Sequence, residues 1–255
     1  MRVGLIGSGN MARALARGWG DPVLCSDAGS GRAEALAAQL GGRAASNLEV
    51  ARQADLVVLC HKPYQLQAVA REIAGEVRAV ASILGATAAG AVAAAYPGAP
   101  VMRLIPNTPV EVRRGVTCHV AAGTAGIVPP PEELEAAVLE LFGRLGIVVE
   151  VEERLIDVAM AVSSLGPAYQ ALLIEAQVDA AVRHGLKADL ASRLAVETMA
   201  GAAALLTVRD HDTLAVRREV TSPGGSTARG LDALERGGVR AAFQSAIDRV
   251  LQVAA

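Results

Sequence analysis

Four residues near the end of the chain, Gly-Gly-Ser-Thr at 224–227, are of the types that bind a small anion. They stand directly before an apolar helical pattern, so several backbone N–H groups are left unpaired beside two hydroxyl groups. Because the N-terminal end of a helix carries partial positive charge, this turn is suited to a small carboxylate. Taken alone, these residues are better explained by a helix cap that binds no ligand.

A second candidate site lies at the start of the chain, in Gly-Ser-Gly-Asn-Met-Ala at 7–12. The apolar run Val3–Ile6 precedes it and a helical pattern follows, which is the context of a dinucleotide-binding fingerprint. In that fingerprint Gly7 makes a tight turn, Gly9 lets a pyrophosphate approach the backbone, and Ala12 lets helix and strand pack closely. The alternative is a strand–helix turn without a ligand. A nucleotide site together with a distant carboxylate site indicates an enzyme.

Asp27 stands where the fingerprint expects an acid that accepts hydrogen bonds from ribose hydroxyls. A carboxylate there favours NAD, since a 2′-phosphate about 5 Å away would cost roughly 3 kcal/mol per unit of like charge at an effective dielectric near 20. Ser26, Ser30 and Arg32 are close enough in sequence to form a phosphate pocket, which leaves NADP open. Asp27 could instead cap the next helix.

Other reactive side chains suggest no further chemistry. The sequence shows no carboxylate pair, no metal-binding histidine cluster and no Cys–His spacing, so we expect no metal. Cys25 and Cys60 fall in apolar runs, which indicates buried, reduced thiols in a reducing cytosol.

Composition narrows the class of protein. Apolar residues make up 52% and charged residues 20%, as in a packed globular protein. A net charge of -2 and only 2% aromatic residues argue against nucleic-acid binding. The first strand begins at Arg2, which leaves no room for a signal peptide, and charge or glycine interrupts every long apolar run. We therefore expect a cytoplasmic protein with a small-molecule substrate and no nucleic-acid or membrane partner.

The elements that must position these sites alternate between strands and helices as far as Val151. This alternation predicts a parallel sheet covered on both faces. The predicted strands are 3–6, 22–26, 55–60, 80–84, 101–105, 116–121 and 147–151. The predicted helices between them are 11–19, 32–40, 65–76, 88–95 and 132–145.

After Val151 the strand signals stop, and helical patterns cover 156–162, 168–184, 190–206, 231–234 and 239–253. We place a domain boundary near Glu152. Residues 1–151 are predicted to form a Rossmann-type α/β dinucleotide-binding domain, and residues 152–255 an all-α dimerisation and substrate-binding domain. The helix from Ala168 is apolar nearly all round and must be buried, for which a partner subunit is the simplest solution.

With these motifs in hand, the chain resembles pyrroline-5-carboxylate reductases from Arg2 to about Ala246. That family reduces a cyclic imine to proline with a nicotinamide cofactor. Five segments in the right order carry the resemblance: Gly7–Ala12, His61-Lys62-Pro63, the Arg103–Pro109 run Arg-Leu-Ile-Pro-Asn-Thr-Pro, Gly166–Tyr169, and Ser222–Thr227.

The resemblance implies NADPH or NADH as cofactor and a homodimer or a larger oligomer of dimers. It implies a cofactor site that includes Ile6, Gly7, Ser8, Gly9, Asn10, Met11, Ser26, Asp27, Asn47, Lys62, Pro63, Gly85 and Ala86. Backbone N–H groups of Gly225, Ser226 and Thr227, with Ser222 and Gly224 in the same turn, would hold the substrate carboxylate. The Thr227 hydroxyl would bond the ring nitrogen and act in catalysis.

Three departures from the family pattern keep alternatives open. His61 replaces an aliphatic residue, Leu165 stands where serine is usual, and Asp27 stands where many members have a hydroxyl or uncharged residue. His61 could donate a proton near the nicotinamide, or be a packed histidine at the cofactor edge. Asn107 is expected to shape its loop. The alternatives are an imine or 3-hydroxyacid reductase with another substrate and a nucleotide-binding paralogue without turnover.

Overall fold

The computed structural model describes residues 1–121 and 128–253, with side chains described as far as residue 251. These residues form two compact units, 1–167 and 168–253. The strands of the first unit are β1 (Val3–Ile6), β2 (Leu24–Ser26), β3 (Arg43–Ala44), β4 (Leu56–Leu59), β5 (Val80–Ser82), β6 (Val101–Pro106), β7 (Gly115–His119) and β8 (Gly146–Glu150).

The helices of the first unit are α1 (Asn10–Trp19), α2 (Arg32–Leu40), α3 (Asn47–Gln53), α4 (Leu66–Ile73), α5 (Ala89–Ala95), α6 (Glu132–Gly143) and α7 (Ile156–Ser163). The remaining helices are α8 (Gly166–Arg183), α9 (Ala188–Val208), α10 (Thr213–Glu219), α11 (Ser226–Arg236) and α12 (Val239–Val253). The predicted elements are present with ends shifted by a few residues, while β3, α3 and α10 were not predicted.

The strands form one sheet in the order β3-β2-β1-β4-β5-β6-β7-β8. Helices cover both faces, and alternate residues of each strand face opposite layers. Leu56 and Val58 of β4 pack in the layer that contains α1, α2 and α6. Val57 and Leu59 pack in the layer that contains α3, α4 and α5. This confirms the predicted α/β class with a sheet buried on both sides.

One strand pair departs from a fully parallel sheet. β6 and β7 are antiparallel, with Ile105 opposite Cys118, whereas every other pair is parallel in the described residues. The connection from Pro106 to Gly115 holds only a short 3₁₀ turn, Thr108–Val112. A parallel return needs a crossover of a dozen or more residues, so this short connection requires a reversal of strand direction.

The two compact units divide after Pro167. The strands end with β8, as the sequence pattern predicts, but helix α7 still packs with the sheet unit. Ile156 is buried in a cluster with Ile105 and Cys118 of the antiparallel pair. The change from strands to helices therefore precedes the change of core.

The second unit leaves much apolar surface uncovered within a single chain. No described residue of α8 is buried, and Ala191 is the buried residue of α9. Leu172 is 62% exposed and Leu194 52% exposed. By length and composition alone, α9 is also apolar enough to cross a membrane, although Arg193 and Glu197 lie within it. The expected burial of α8 is not achieved by this chain alone.

Candidate functional site

The glycine turn after β1 has the geometry that its sequence predicts. Gly7 has φ 99°, and a Cβ on it would lie 2.8 Å from the backbone nitrogen of His61. Both the backbone conformation and the lack of space therefore require glycine here. Gly9 precedes α1, and a Cβ on it would meet nothing within 4 Å. The first turn of α1 contains no acidic residue and no side chain caps it. A positive helix end therefore opens onto free space.

Two cavities with shared walls lie beside this turn, of about 280 Å³ and 510 Å³. Gly9, Arg32, Cys60, His61 and Lys62 line both of them. Of the predicted cofactor residues, Ile6, Gly7, Ser8, Asp27 and Asn47 line the first cavity, and Asn10, Met11, Pro63 and Gly85 line the second. Gln65, Val69 and Thr108 also contribute walls and were not predicted.

Two predicted residues do not line these cavities. Ser26 is buried behind Asn47, to whose side-chain oxygen its hydroxyl donates a hydrogen bond of 2.6 Å. Asn47 in turn donates to Glu72 at 2.8 Å, so Ser26 helps to orient the residue that does reach the cavity. Ala86 follows Gly85 with φ 51°, in the left-handed region, and shapes the turn rather than the wall.

Asp27 caps the next helix, which is the alternative that the sequence left open for this residue. One carboxylate oxygen accepts the backbone N–H groups of Gly29 and Ser30 at 2.7 and 3.1 Å. The other accepts the Ser30 hydroxyl at 2.7 Å and the N–H groups of Arg32 and Ala33 at 2.7 and 3.1 Å. The Ser30 hydroxyl and these amides lower the pKa of Asp27 to about 2. Five donors exceed the roughly four acceptor sites of a carboxylate.

His61 is a neutral residue of the cavity wall. Its Nδ1 lies 2.9 Å from the Lys62 carbonyl oxygen, which can only accept, so the ring proton is on Nδ1. Burial lowers the pKa of His61, so the imidazole is uncharged at pH 7. Its Nε2 is buried without a hydrogen-bond partner among the described residues. A neutral ring of this kind does not act as a ready proton donor, which favours the packed interpretation.

Lys62 and Arg32 supply positive charge at the cavities. Both side chains are exposed, and neither makes an ion pair with any residue that the structure describes. Cys60 also lines both cavities, and burial raises the pKa of its thiol far above the ordinary value. The thiol therefore stays protonated and contributes packing, while the two cations are free to meet an anion.

In the second unit, the turn at 222–227 forms the predicted helix start. Gly224 has φ 66°, Gly225 precedes α11, and a Cβ on Gly225 would collide with the Ser222 hydroxyl. The Gly225 N–H donates to the Ser222 carbonyl oxygen at 3.0 Å, so it is not one of the free donors that we expected. The N–H groups of Ser226 and Thr227 have no acceptor among the described residues, as expected for the first turn of a helix.

Asn107 connects the loop after β6 to the end of α7. Its Nδ2 donates to the Ser163 carbonyl oxygen at 3.0 Å, and its Oδ1 accepts the Val116 N–H at 2.9 Å. The Ser164 hydroxyl donates to the Pro106 carbonyl oxygen at 3.3 Å, which fixes the same junction. The prediction that Asn107 shapes its loop is confirmed. Leu165 lies immediately after this junction and is half-buried.

Comparison with known proteins agrees with this geometry. Residues 153–255 match the family model described as pyrroline-5-carboxylate reductase dimerisation, and residues 2–86 match one described as NADP oxidoreductase coenzyme F420-dependent. The chain is 32% identical to pyrroline-5-carboxylate reductase 2 of Macaca fascicularis, over 97% of this chain and 81% of that protein. It is 32% identical to pyrroline-5-carboxylate reductase of Methanosarcina acetivorans, over 97% of this chain and 94% of that protein.

Solved structures show the same likeness. The pyrroline carboxylate reductase of Plasmodium falciparum, crystallised with NADP bound, has a TM-score of 0.88 and 25% identity, covering 100% of this chain and 97% of that one. The 1-pyrroline-5-carboxylate reductase of Streptococcus pyogenes has a TM-score of 0.89 and 28% identity, covering 100% of this chain and 98% of that one.

Proposed function

The chain belongs to the pyrroline-5-carboxylate reductase family, and on this premise we propose that it reduces 1-pyrroline-5-carboxylate to L-proline with NADPH or NADH. The observation that carries the proposal is the free space at Gly9, where an uncapped helix end and two cations meet two adjoining cavities. This arrangement suits the pyrophosphate of a dinucleotide.

The cofactor would be held by residues of the first unit. The N–H groups of α1 and the side chain of Lys62 would face the phosphate charge, and Gly9 would let the pyrophosphate approach the backbone. Pro63, Gly85 and Thr108 form part of the wall of the larger cavity. When bound, the reduced nicotinamide supplies the hydride that adds to the imine carbon.

The substrate would be held by the turn at 222–227. The free N–H groups of Ser226 and Thr227 and the Ser222 hydroxyl would donate hydrogen bonds to the carboxylate of the imine. The half-buried Thr227 hydroxyl would hydrogen-bond the ring nitrogen and stabilise the amine as it forms. Gly224 and Gly225 give the turn its shape. With no acid–base pair needed for a protonated imine, the task of these residues is orientation.

The helical unit would form a homodimer with a second copy of the chain. The match of residues 153–255 to a dimerisation model and the uncovered apolar surface of α8 and α9 support this. The same surface explains why α9 passes a composition test for a membrane span, since an interface helix is also apolar. We further propose a cytoplasmic location, with no nucleic-acid or membrane partner.

The decisive experiment follows the oxidation of NADPH and of NADH by the purified protein with 1-pyrroline-5-carboxylate, with proline measured as product. We expect both cofactor oxidation and proline to depend on the imine. A protein that binds the cofactors but forms no proline would contradict the proposed function. Parallel reactions with another cyclic imine would then identify a reductase of different specificity.

A further inference from the structure

The choice between NADPH and NADH depends on what surrounds the adenosine ribose, and Asp27 is not available for that task. Its two carboxylate oxygens already accept five hydrogen bonds from residues 29–33. A ribose diol would have to displace the Ser30 hydroxyl or the first N–H groups of α2. The carboxylate therefore offers NADH no binding contact that NADPH would lack.

The charges that remain free at this end of the cavity are positive. Arg32 is the first residue of α2 and lines both cavities, and Lys62, in the segment after β4, lines both as well. Several other arginines of the first unit form ion pairs: Arg17 pairs with Glu111, Arg52 with Glu76 and Arg78 with Asp55. Arg32 has no such partner among the described residues, although Asp27 lies only five positions away.

The reason is that the carboxylate of Asp27 is held by backbone amides. It bonds the N–H of Arg32 rather than its guanidinium, at 2.7 Å. The Asp27 charge thus neutralises the start of α2, and the guanidinium stays outside this network. A planar guanidinium with five donors binds phosphate oxygens better than it binds a hydroxyl pair.

We propose that Arg32 is the residue that selects the cofactor, by binding the 2′-phosphate of NADPH, and that the protein prefers NADPH to NADH. This inference deepens the proposed function and shares one assumption with it, namely that the two cavities bind a nicotinamide nucleotide. Asp27 acts as a cap and does not discriminate between the two cofactors. Lys62 faces phosphate charge common to both cofactors and affects their binding equally.

The test measures dissociation constants of NADPH and NADH without imine, by fluorescence titration at fixed salt, for the wild type, Arg32→Ala and Arg71→Ala. Arg71 is an exposed arginine of α4 that lines neither cavity, which makes it the matched control. We expect Arg32→Ala to weaken NADPH binding about tenfold and NADH binding less than twofold, while Arg71→Ala changes neither. Adenosine 2′,5′-bisphosphate should show the same loss as NADPH.

A second variant separates the two candidate selectors. Asp27→Asn removes the charge, and we expect it to leave the ratio of the two dissociation constants unchanged. A wild type that prefers NADH, an equal effect of Arg32→Ala on both cofactors, or a ratio shifted towards NADPH by Asp27→Asn would each overturn the proposal. Failure of the proposed function is distinguishable, because a protein that binds NADPH through Arg32 but forms no proline would contradict the reaction and leave this inference standing.

Discussion

Replacing Glu153 by glutamine tests how the wall of the candidate site is held. Arg103 of β6 is 4% exposed, and its Nη1 donates to Glu153 Oε1 at 2.8 Å. The same oxygen accepts the N–H of Ala89, the first residue of α5, at 2.9 Å. Asp157 of α7 lies farther from the guanidinium, at 3.5 Å. Glu153 therefore joins the segment after the Gly85 turn to a buried charge.

The structure sets the size of the effect. Breaking a buried ion pair by removing one partner costs about 3–5 kcal/mol, since the other charge stays buried. The Glu153 side chain is 24% exposed and glutamine keeps an acceptor oxygen, so we expect the lower end, about 3 kcal/mol. For a chain of this length that corresponds to a fall in Tm of roughly 6–12 °C.

Glu76→Gln is the matched control. Glu76 pairs with Arg52 at 2.9 Å, almost the same distance, but the two side chains are 38% and 56% exposed. Exposed pairs contribute little, so the Tm of this variant should hardly change. Both variants would be compared by thermal and urea denaturation at one protein concentration and pH 7. Equal losses in the two variants would refute the reasoning, because burial is the difference between them.

Three further outcomes are expected. Thr227→Ala should lower kcat/KM for the imine at least tenfold while the affinity for the cofactor stays near normal. The control variant Thr213→Ala, in the first turn of α10, should leave kcat/KM unchanged. Unchanged kinetics of Thr227→Ala would remove Thr227 from the mechanism. Asp27→Ala should lower the free energy of unfolding at pH 7 by about 1 kcal/mol. Because the folded pKa of Asp27 is lowered to about 2 from 3.8, this difference should vanish as the pH falls from about 4 to 2, which urea titrations at several pH values would measure. Gly9→Val should weaken NADPH binding more than tenfold without lowering Tm, since the added side chain meets only the open space that a pyrophosphate needs; normal binding would place the cofactor elsewhere.

Local sequence signals predicted most of the fold because they are repeated along the chain. Alternating apolar strands and helical patterns are set by periodicity, and the glycine turn is set by conformation. Helix α3 was missed although Ser46 and Glu49 form a capping box whose spacing is visible in the sequence. The antiparallel β6–β7 pair follows from the shortness of one loop, a signal that the strand–helix alternation obscured.

The site was harder to predict because its chemistry depends on which polar groups are already occupied. Asp27 has the residue type and position of a ribose acceptor, yet backbone amides of residues 29–33 saturate it. Gly225 has the position of an anion donor, yet its N–H serves the turn itself. Spacing alone cannot show such competition, since it arises only when the turn closes.

The helical unit shows a different limit: an apolar pattern predicts that a helix is buried, but it does not tell which chain covers the helix. The apolar pattern of α8 predicts burial, and the structure of one chain buries none of its described residues. Both observations hold if the surface that covers α8 belongs to a second copy, because an interface helix is patterned like a core helix. The folding free energy of residues 168–253 would then depend on protein concentration. A Tm that rises with concentration would show that this apolar pattern is completed by association.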